Sequence, residues 1–185
     1  GVELVYPLTD KALVKSMVGI YGLHVAFQAA VNKRLFVGGE FCNEEFSVAV
    51  NPMYIDIKTC FFLYRGGIKI TYHTTTTNDF MFNASLSGGE TYIMYNNIPP
   101  LSPPPPKGGF VQQSQYYDLS IMEGYKIDQQ YWIGLIINYT YLPYTFNPDY
   151  VGINNYGTYS PSDKTGPTTY IGWGFEMCYA FGKKK

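Results

Sequence analysis

From Tyr170 to Phe181 bulky apolar residues alternate with small or polar ones without a break. Ile171, Trp173, Phe175, Met177, Tyr179 and Phe181 fall on one side, and Gly172, Gly174, Glu176, Cys178 and Ala180 on the other. Alternation with period two is the signature of a β-strand. A soluble sandwich buries its bulky face against a second sheet. An aromatic face backed by Gly and Glu is instead what a closed barrel presents to lipid and to its own lumen. Read between turn signals, the same pattern predicts eight strands: Val2–Pro7, Ser16–Val31, Leu35–Val48, Tyr54–His73, Phe80–Tyr95, Gln113–Ile127, Tyr131–Tyr144 and Thr168–Phe181.

The connections carry a second rhythm. Three are short and polar, at Asn32–Arg34, Thr74–Asp79 and Asp128–Gln130. Between them come Ala49–Met53, a Pro-rich stretch over 96–112 and a Tyr/Asn/Gly-rich stretch over 145–167. Membrane barrels alternate short periplasmic turns with longer external loops, so the fold class expected is an all-β, antiparallel, up-and-down transmembrane barrel of eight strands. It forms one domain over 1–185, with external loops near 96–112 and 145–167 and both termini periplasmic. The first strand is short, and Leu8–Lys15 reads as its loop.

The outward face predicts a lipid belt. Tyr131, Ile133, Leu135, Tyr139 and Tyr141 share one side of their strand, with tyrosines at both ends of an aliphatic centre, and Ile171, Trp173, Phe175, Tyr179 and Phe181 do so on the last strand. That is how an aromatic girdle looks along one strand. On Ser16–Val31 the outward set is Met17, Tyr21, Leu23, Val25, Phe27 and Val31. Two strands are irregular. Glu123 interrupts the apolar face of Tyr117–Ile127, which calls for a bulge beside Gly124. In Tyr54–His73 the faces swap around Arg65-Gly66-Gly67, so that strand either projects above the bilayer or is bulged.

Composition agrees with strands. The chain has 19 Tyr, 12 Phe and 19 Gly, and only 15% of its residues are charged. Its net charge of -1, with no face dominated by Lys and Arg and a basic run only in the closing Lys183–Lys185, argues against a nucleic-acid partner. The longest apolar stretches fall short of a spanning helix, so a membrane assignment rests on strands.

Chemistry-bearing residues are few. The inward positions supply a lumen polar network of His24, Glu40, Arg65, Lys69, Asp118, Lys126 and Glu176, together with Glu44. A barrel this small has no open pore, so such charges pair with one another or trap water. His24 on the inner face and His73 at a periplasmic end are the only histidines. Hydrolysis would require one of them beside a hydroxyl and a carboxylate, so no catalytic residue is expected. Cys42, Cys60 and Cys178 lack CxxC spacing and an adjacent His, so no metal or other cofactor is expected. Cys42 and Cys60 are equidistant from Asn51, which leaves open both a disulfide across a hairpin and a pair of free buried thiols. Pro99–Pro106 reads as a stiff polyproline II segment in an external loop. The glycosylation triplets at Asn83 and Asn138 fall within strands and read as chance matches.

With this pattern in place the chain resembles the small outer-membrane β-barrel proteins of Gram-negative bacteria. The strand, polar turn and strand of Gly124-Tyr-Lys-Ile-Asp-Gln-Gln-Tyr-Trp-Ile-Gly-Leu135 look like the Bacteroidetes-type barrel family. Such proteins end in an assembly signal, polar-x-Gly-x-x-hydrophobic-x-hydrophobic, and Tyr170-x-Gly172-x-x-Phe175-x-Met177 fits it. The chain departs in closing on Phe181-Gly-Lys-Lys-Lys185 instead of on the aromatic residue. The resemblance implies a bacterial outer-membrane location, outer-membrane lipid and lipopolysaccharide as surroundings, and the barrel-insertion machinery as a partner during assembly.

The function expected is that of a non-enzymatic structural or accessory subunit of a membrane or cell-surface complex, without a large open pore, reaching a protein partner through its external loops. One alternative is a soluble lipocalin-like barrel whose large apolar residues line an internal site for a hydrophobic ligand. A second is a barrel-wall lipid-modifying enzyme using His24.

Overall fold

The computed structural model describes residues 1–9, 11–48, 60–76, 79–96, 110–128, 130–147 and 160–181. Eight strands account for most of them: β1 Val2–Pro7, β2 Met17–Ala30, β3 Leu35–Val48, β4 Cys60–Thr75, β5 Phe80–Asn96, β6 Phe110–Lys126, β7 Tyr131–Leu142 and β8 Thr168–Tyr179. Each pairs antiparallel with its neighbour in sequence, and β8 returns to β1, so the sheet is a closed up-and-down barrel. β1 pairs with β8 over Val2–Pro7 but with β2 only at Val2 and Glu3, so it fills the loop-side half of the wall.

The two faces separate as the alternation requires. Phe27, Ile68, Leu86 and Phe175 are 73%, 64%, 63% and 60% exposed on the outside, whereas Arg65 is 1% exposed inside. Bulky side chains over an ionic interior are the reverse of a lipocalin-like arrangement. Tyr131 and Tyr141 are ten positions apart on β7. At a tilt of about 40° that is roughly 25 Å of height, the thickness of a barrel's apolar band. Ring pairs mark both levels, with Tyr131 against Tyr179 at 4.7 Å near the turns and Tyr117 against Tyr141 at 6.3 Å toward the loops.

Several expectations are corrected. Met17 faces inward and is buried, because the β2/β3 register shifts between Gly19 and Tyr21. The extra residue, Ile20, puts Ile20 and Tyr21 both outside and reverses the parity of everything before them. No bulge occurs beside Gly124, where β6 stays in register with both neighbours. Glu123 therefore does face outward, three residues from the end of β6, close enough to the turns for its carboxylate to reach the interface.

The faces of β4 do not swap at Arg65-Gly66-Gly67 either. Phe61, Leu63, Arg65 and Lys69 are buried inside, and the register is unbroken from Cys60. The expected start of that strand, 54–59, lies outside the described residues, as do Pro99–Pro106 and most of 145–167. β6 begins at Phe110, inside the stretch read as loop, while β7 stops at Leu142 and β8 at Tyr179. Leu8–Lys15 is not all loop. Its second half belongs to the short helix α1, Lys11–Ser16, whose Leu13 is fully buried.

The lumen has three layers. At the loop end an apolar cap gathers Leu13, Phe46, Phe61, Tyr95, Phe146 and Tyr170. Phe46 stacks on Phe61 at 4.8 Å and meets Tyr170 edge-on at 5.6 Å, while Phe61 lies 5.5 Å from Phe146. Charged and hydroxyl groups fill the middle. At the turn end Met81, Met122 and Ile136 pack with Trp132 and Cys178. The expected interior of small and ionic residues is thus the middle layer only. The mouth holds rings because its inward positions are Phe46, Phe61, Tyr95 and Tyr170, and Leu13 of α1 and Phe146 pack over them.

Candidate functional site: a sealed ionic lumen

Arg65 on β4 organises the middle layer. Its Nη2 donates to Glu44 Oε1 at 2.5 Å, and its Nη1 reaches Asp118 Oδ2 at 3.3 Å and Thr140 Oγ1 at 3.4 Å. Thr140 donates to the same Asp118 oxygen at 2.6 Å, and the Tyr170 hydroxyl donates to Glu44 Oε2. The guanidinium plane also lies over two rings, 4.9 Å from the centre of Tyr116 and 5.7 Å from that of Tyr170. A planar cation with several fixed donors is the side chain able to hold two carboxylates and two rings at once.

A second group sits one turn of the pattern lower. Glu40 Oε2 lies 3.0 Å from His24 Nε2 and 3.5 Å from Lys69 Nζ, while Glu40 Oε1 accepts from the Tyr116 hydroxyl at 2.9 Å. Tyr116 therefore touches both groups and joins them. Glu3 on β1 accepts from the Asn138 amide at 2.5 Å. Gly172 on β8 makes room for that pair, since a Cβ there would fall 2.3 Å from Asn138 Oδ1 and 2.4 Å from Glu3 Oε2.

The structure thus brings together six of the expected lumen residues: His24, Glu40, Glu44, Arg65, Lys69 and Asp118. Lys126 and Glu176 share the inner face but lie half-buried near the turns, outside any ion pair among the described residues. Glu3, Tyr116, Asn138, Thr140 and Tyr170 are members that the charge-led reading missed. Parity was the available signal. Tyr170 alternates with Ile171 and shares its side with Gly172 and Glu176, and Glu3 sits between outward Val2 and Leu4. Of the expected belt, all ten members lie on the outer face, with Ile171 the least exposed.

Of the two readings left open for Cys42 and Cys60, the structure does not take the disulfide. The register sets Cys42 opposite Arg65 and Cys60 opposite Ser47, so the two do not face each other across the hairpin. Equal distance from Asn51 misled because the β3/β4 pairing is centred elsewhere. The asparagines of both glycosylation triplets hydrogen-bond within the barrel, Asn83 to His73 and Asn138 to Glu3.

Chemically the layer sets four carboxyl groups, those of Glu3, Glu40, Glu44 and Asp118, around the cations of Arg65 and Lys69, with His24 beside them. His24, Glu40 and Cys42 offer ligand atoms within 4.8 Å of one another, but the Lys69 ammonium is 3.5 Å from Glu40 and 3.4 Å from His24 Nε2, so positive charge is already supplied there. The His24 ring meets Glu40 and Lys69, and among the described residues no hydroxyl nucleophile hydrogen-bonds to it. The void between Glu3, His24, Lys69 and Asn138 is about 10 Å³, and so is the one under the cap between Leu13 and Phe146. Each has room for about one water.

No protein-family model matches the chain, and neither does any curated protein. Among solved structures it is similar to Ail, the attachment invasion locus protein of Yersinia pestis, at 7% identity over 96% of this chain and 93% of that one, with a TM-score of 0.46. It is also similar to the outer membrane protease OmpT of Escherichia coli, at 13% identity over 89% of this chain and 64% of that one, with a TM-score of 0.42.

Proposed function

We propose that the protein is an outer-membrane barrel that acts as a non-conducting, non-enzymatic scaffold, an accessory subunit of a cell-surface complex. Its long connections face outward and the Tyr179 end of β8 faces the periplasm. The observation that carries this reading is a belt of exposed apolar side chains on every strand around a core of buried ion pairs. In water that belt would be an aggregation surface, whereas in lipid it is the solvated face. The lumen charges serve as internal struts, and the aromatic rows hold the barrel at the two interfaces. Lipid and lipopolysaccharide surround it, the insertion machinery assembles it, and the loop end meets its protein partner. The strand, turn and strand over Gly124–Leu135 favour a Bacteroidetes-type barrel.

The test is refolding into lipid vesicles. The expected product floats with the vesicles after a urea wash, migrates faster on unheated than on heated gels, and passes no steady current in planar bilayers. Protein that is monodisperse without detergent would overturn the membrane reading. Stable channel steps would overturn the scaffold.

A further inference from the structure

At the loop end the barrel wall is incomplete beside β6. β6 is paired with β5 from Phe110 onward, but its pairing with β7 begins only at Tyr117. The cause is local. After Leu142 comes Pro143, which has no N–H to give a ladder, and the chain then turns inward so that Phe146 can join the cap. Phe110–Tyr116 are left with one bare edge, and among the described residues none of them makes a further backbone hydrogen bond.

Beside this edge runs a groove of about 490 Å³ whose far wall is Pro143, Tyr144, Thr145, Asn147 and Lys164. Gln112 Oε1 is buried at the same place and has no hydrogen-bond donor. Natural edge strands are protected by Lys, Pro, bulges or short length. Val111-Gln-Gln-Ser-Gln115 has none of these: it is uncharged, regular and free of Pro.

We propose that the edge of β6 from Phe110 to Tyr116 is a docking site for an extended, uncharged segment of a partner polypeptide, which adds to the sheet as one more strand. The incoming main chain satisfies the bare N–H and C=O groups, and a donor on the partner reaches Gln112. A second copy of this chain in the same membrane is a poor occupant. Two barrels related by an axis along the membrane normal would cross their edge strands at about twice the strand tilt, roughly 80°, which no ladder accommodates. The proposal rests on the reading that this end of the barrel stands clear of the bilayer.

Amide hydrogen exchange on the protein in lipid nanodiscs tests it, using as probe an uncharged Thr/Gln-alternating heptapeptide at millimolar concentration. In the free protein every second amide between Val111 and Gln115 should exchange at least about tenfold faster than those of Leu119–Gly124. The peptide should slow them by about the same factor. Two further peptides, N-methylated on alternate sets of amides, should differ, one binding and the other not, because only one set faces the edge. Slow exchange in the free protein, no protection by the probe, or equal binding of both methylated peptides would each overturn the docking site. Failure to float with vesicles would overturn the membrane reading instead, and is read separately.

Discussion

Gly66 and Gly67 are adjacent in sequence and opposite in consequence. Gly66 faces outward with nothing within 4 Å of where a Cβ would stand, whereas a Cβ on Gly67 would lie 2.3 Å from the Gly88 carbonyl oxygen and 2.6 Å from the Tyr116 hydroxyl. Backbone cannot give way as a flexible side chain can. Gly66→Ala should leave the denaturant midpoint of the folded barrel nearly unchanged, and Gly67→Ala should cost about 1–3 kcal/mol. Equal effects would mean that the β4/β5 wall is looser than these distances. Arg65 is the other residue on which much depends. Arg65→Met leaves Glu44 and Asp118 buried without their cation, an expected loss of about 3–5 kcal/mol by urea titration in detergent. Replacing Glu44 and Asp118 by Leu in the same chain should recover most of that loss, since it is the uncompensated charge that costs.

Elements differ in how far their sequence announces them. β7 and β8 were legible almost to the residue, because both faces alternate without interruption and polar turns bound them. β2 was legible as a strand but its first residues were assigned to the wrong face. A bulge at Ile20 is a matter of pairing with β3, and no residue type marks it. Of the lumen site, the charged members were legible by parity, while Tyr116 and Tyr170 were hidden because a tyrosine in such a strand reads first as girdle. Helix α1 has six residues and no apolar period to detect; it is held by Leu13 in the cap and by Lys15 on the loop.

That last contact carries a pH dependence. Lys15 Nζ lies 2.9 Å from Asp163 Oδ2, and the Lys15 ammonium, helped by the Ser160 N–H, lowers the Asp163 carboxyl from 3.8 to about 2. A carboxyl lowered in the folded state stabilises it at every pH above its ordinary value, and the contribution fades as pH falls from there through the folded value. The tie between α1 and the 160–164 turn should therefore be constant from neutral pH down to about 4 and weaken between there and about 2. Carboxyl chemical shifts of Asp163 would follow it. Asp163→Asn should abolish the dependence, and a midpoint at the ordinary value would show that the contact does not persist in solution.

At the scale of the whole molecule the question is what passes through. The ionic layer and the aromatic cap are separate obstructions, each with a void of about 10 Å³. Opening only one should not make a channel. Phe61→Ala together with Phe146→Ala should thin the cap yet leave planar-bilayer recordings silent, because Arg65, Glu40 and Lys69 still close the middle. Current through that variant would relocate the barrier to the rings alone.

The middle layer also has an arithmetic of sequence distance. Glu3 and Asn138 are 135 positions apart, Glu44 and Tyr170 are 126, and Arg65 and Asp118 are 53. The β3/β4 hairpin brings its own pairs, Arg65 with Glu44 and Lys69 with Glu40, but Asp118, Glu3 and Tyr170 reach Arg65, Asn138 and Glu44 only across the barrel. Those groups must wait, partly hydrated, until the first strand meets the last. A nascent wall lacking β8 is thus expected to stall as a wet, open sheet, and closure becomes a late event at which water leaves and the remaining partners meet.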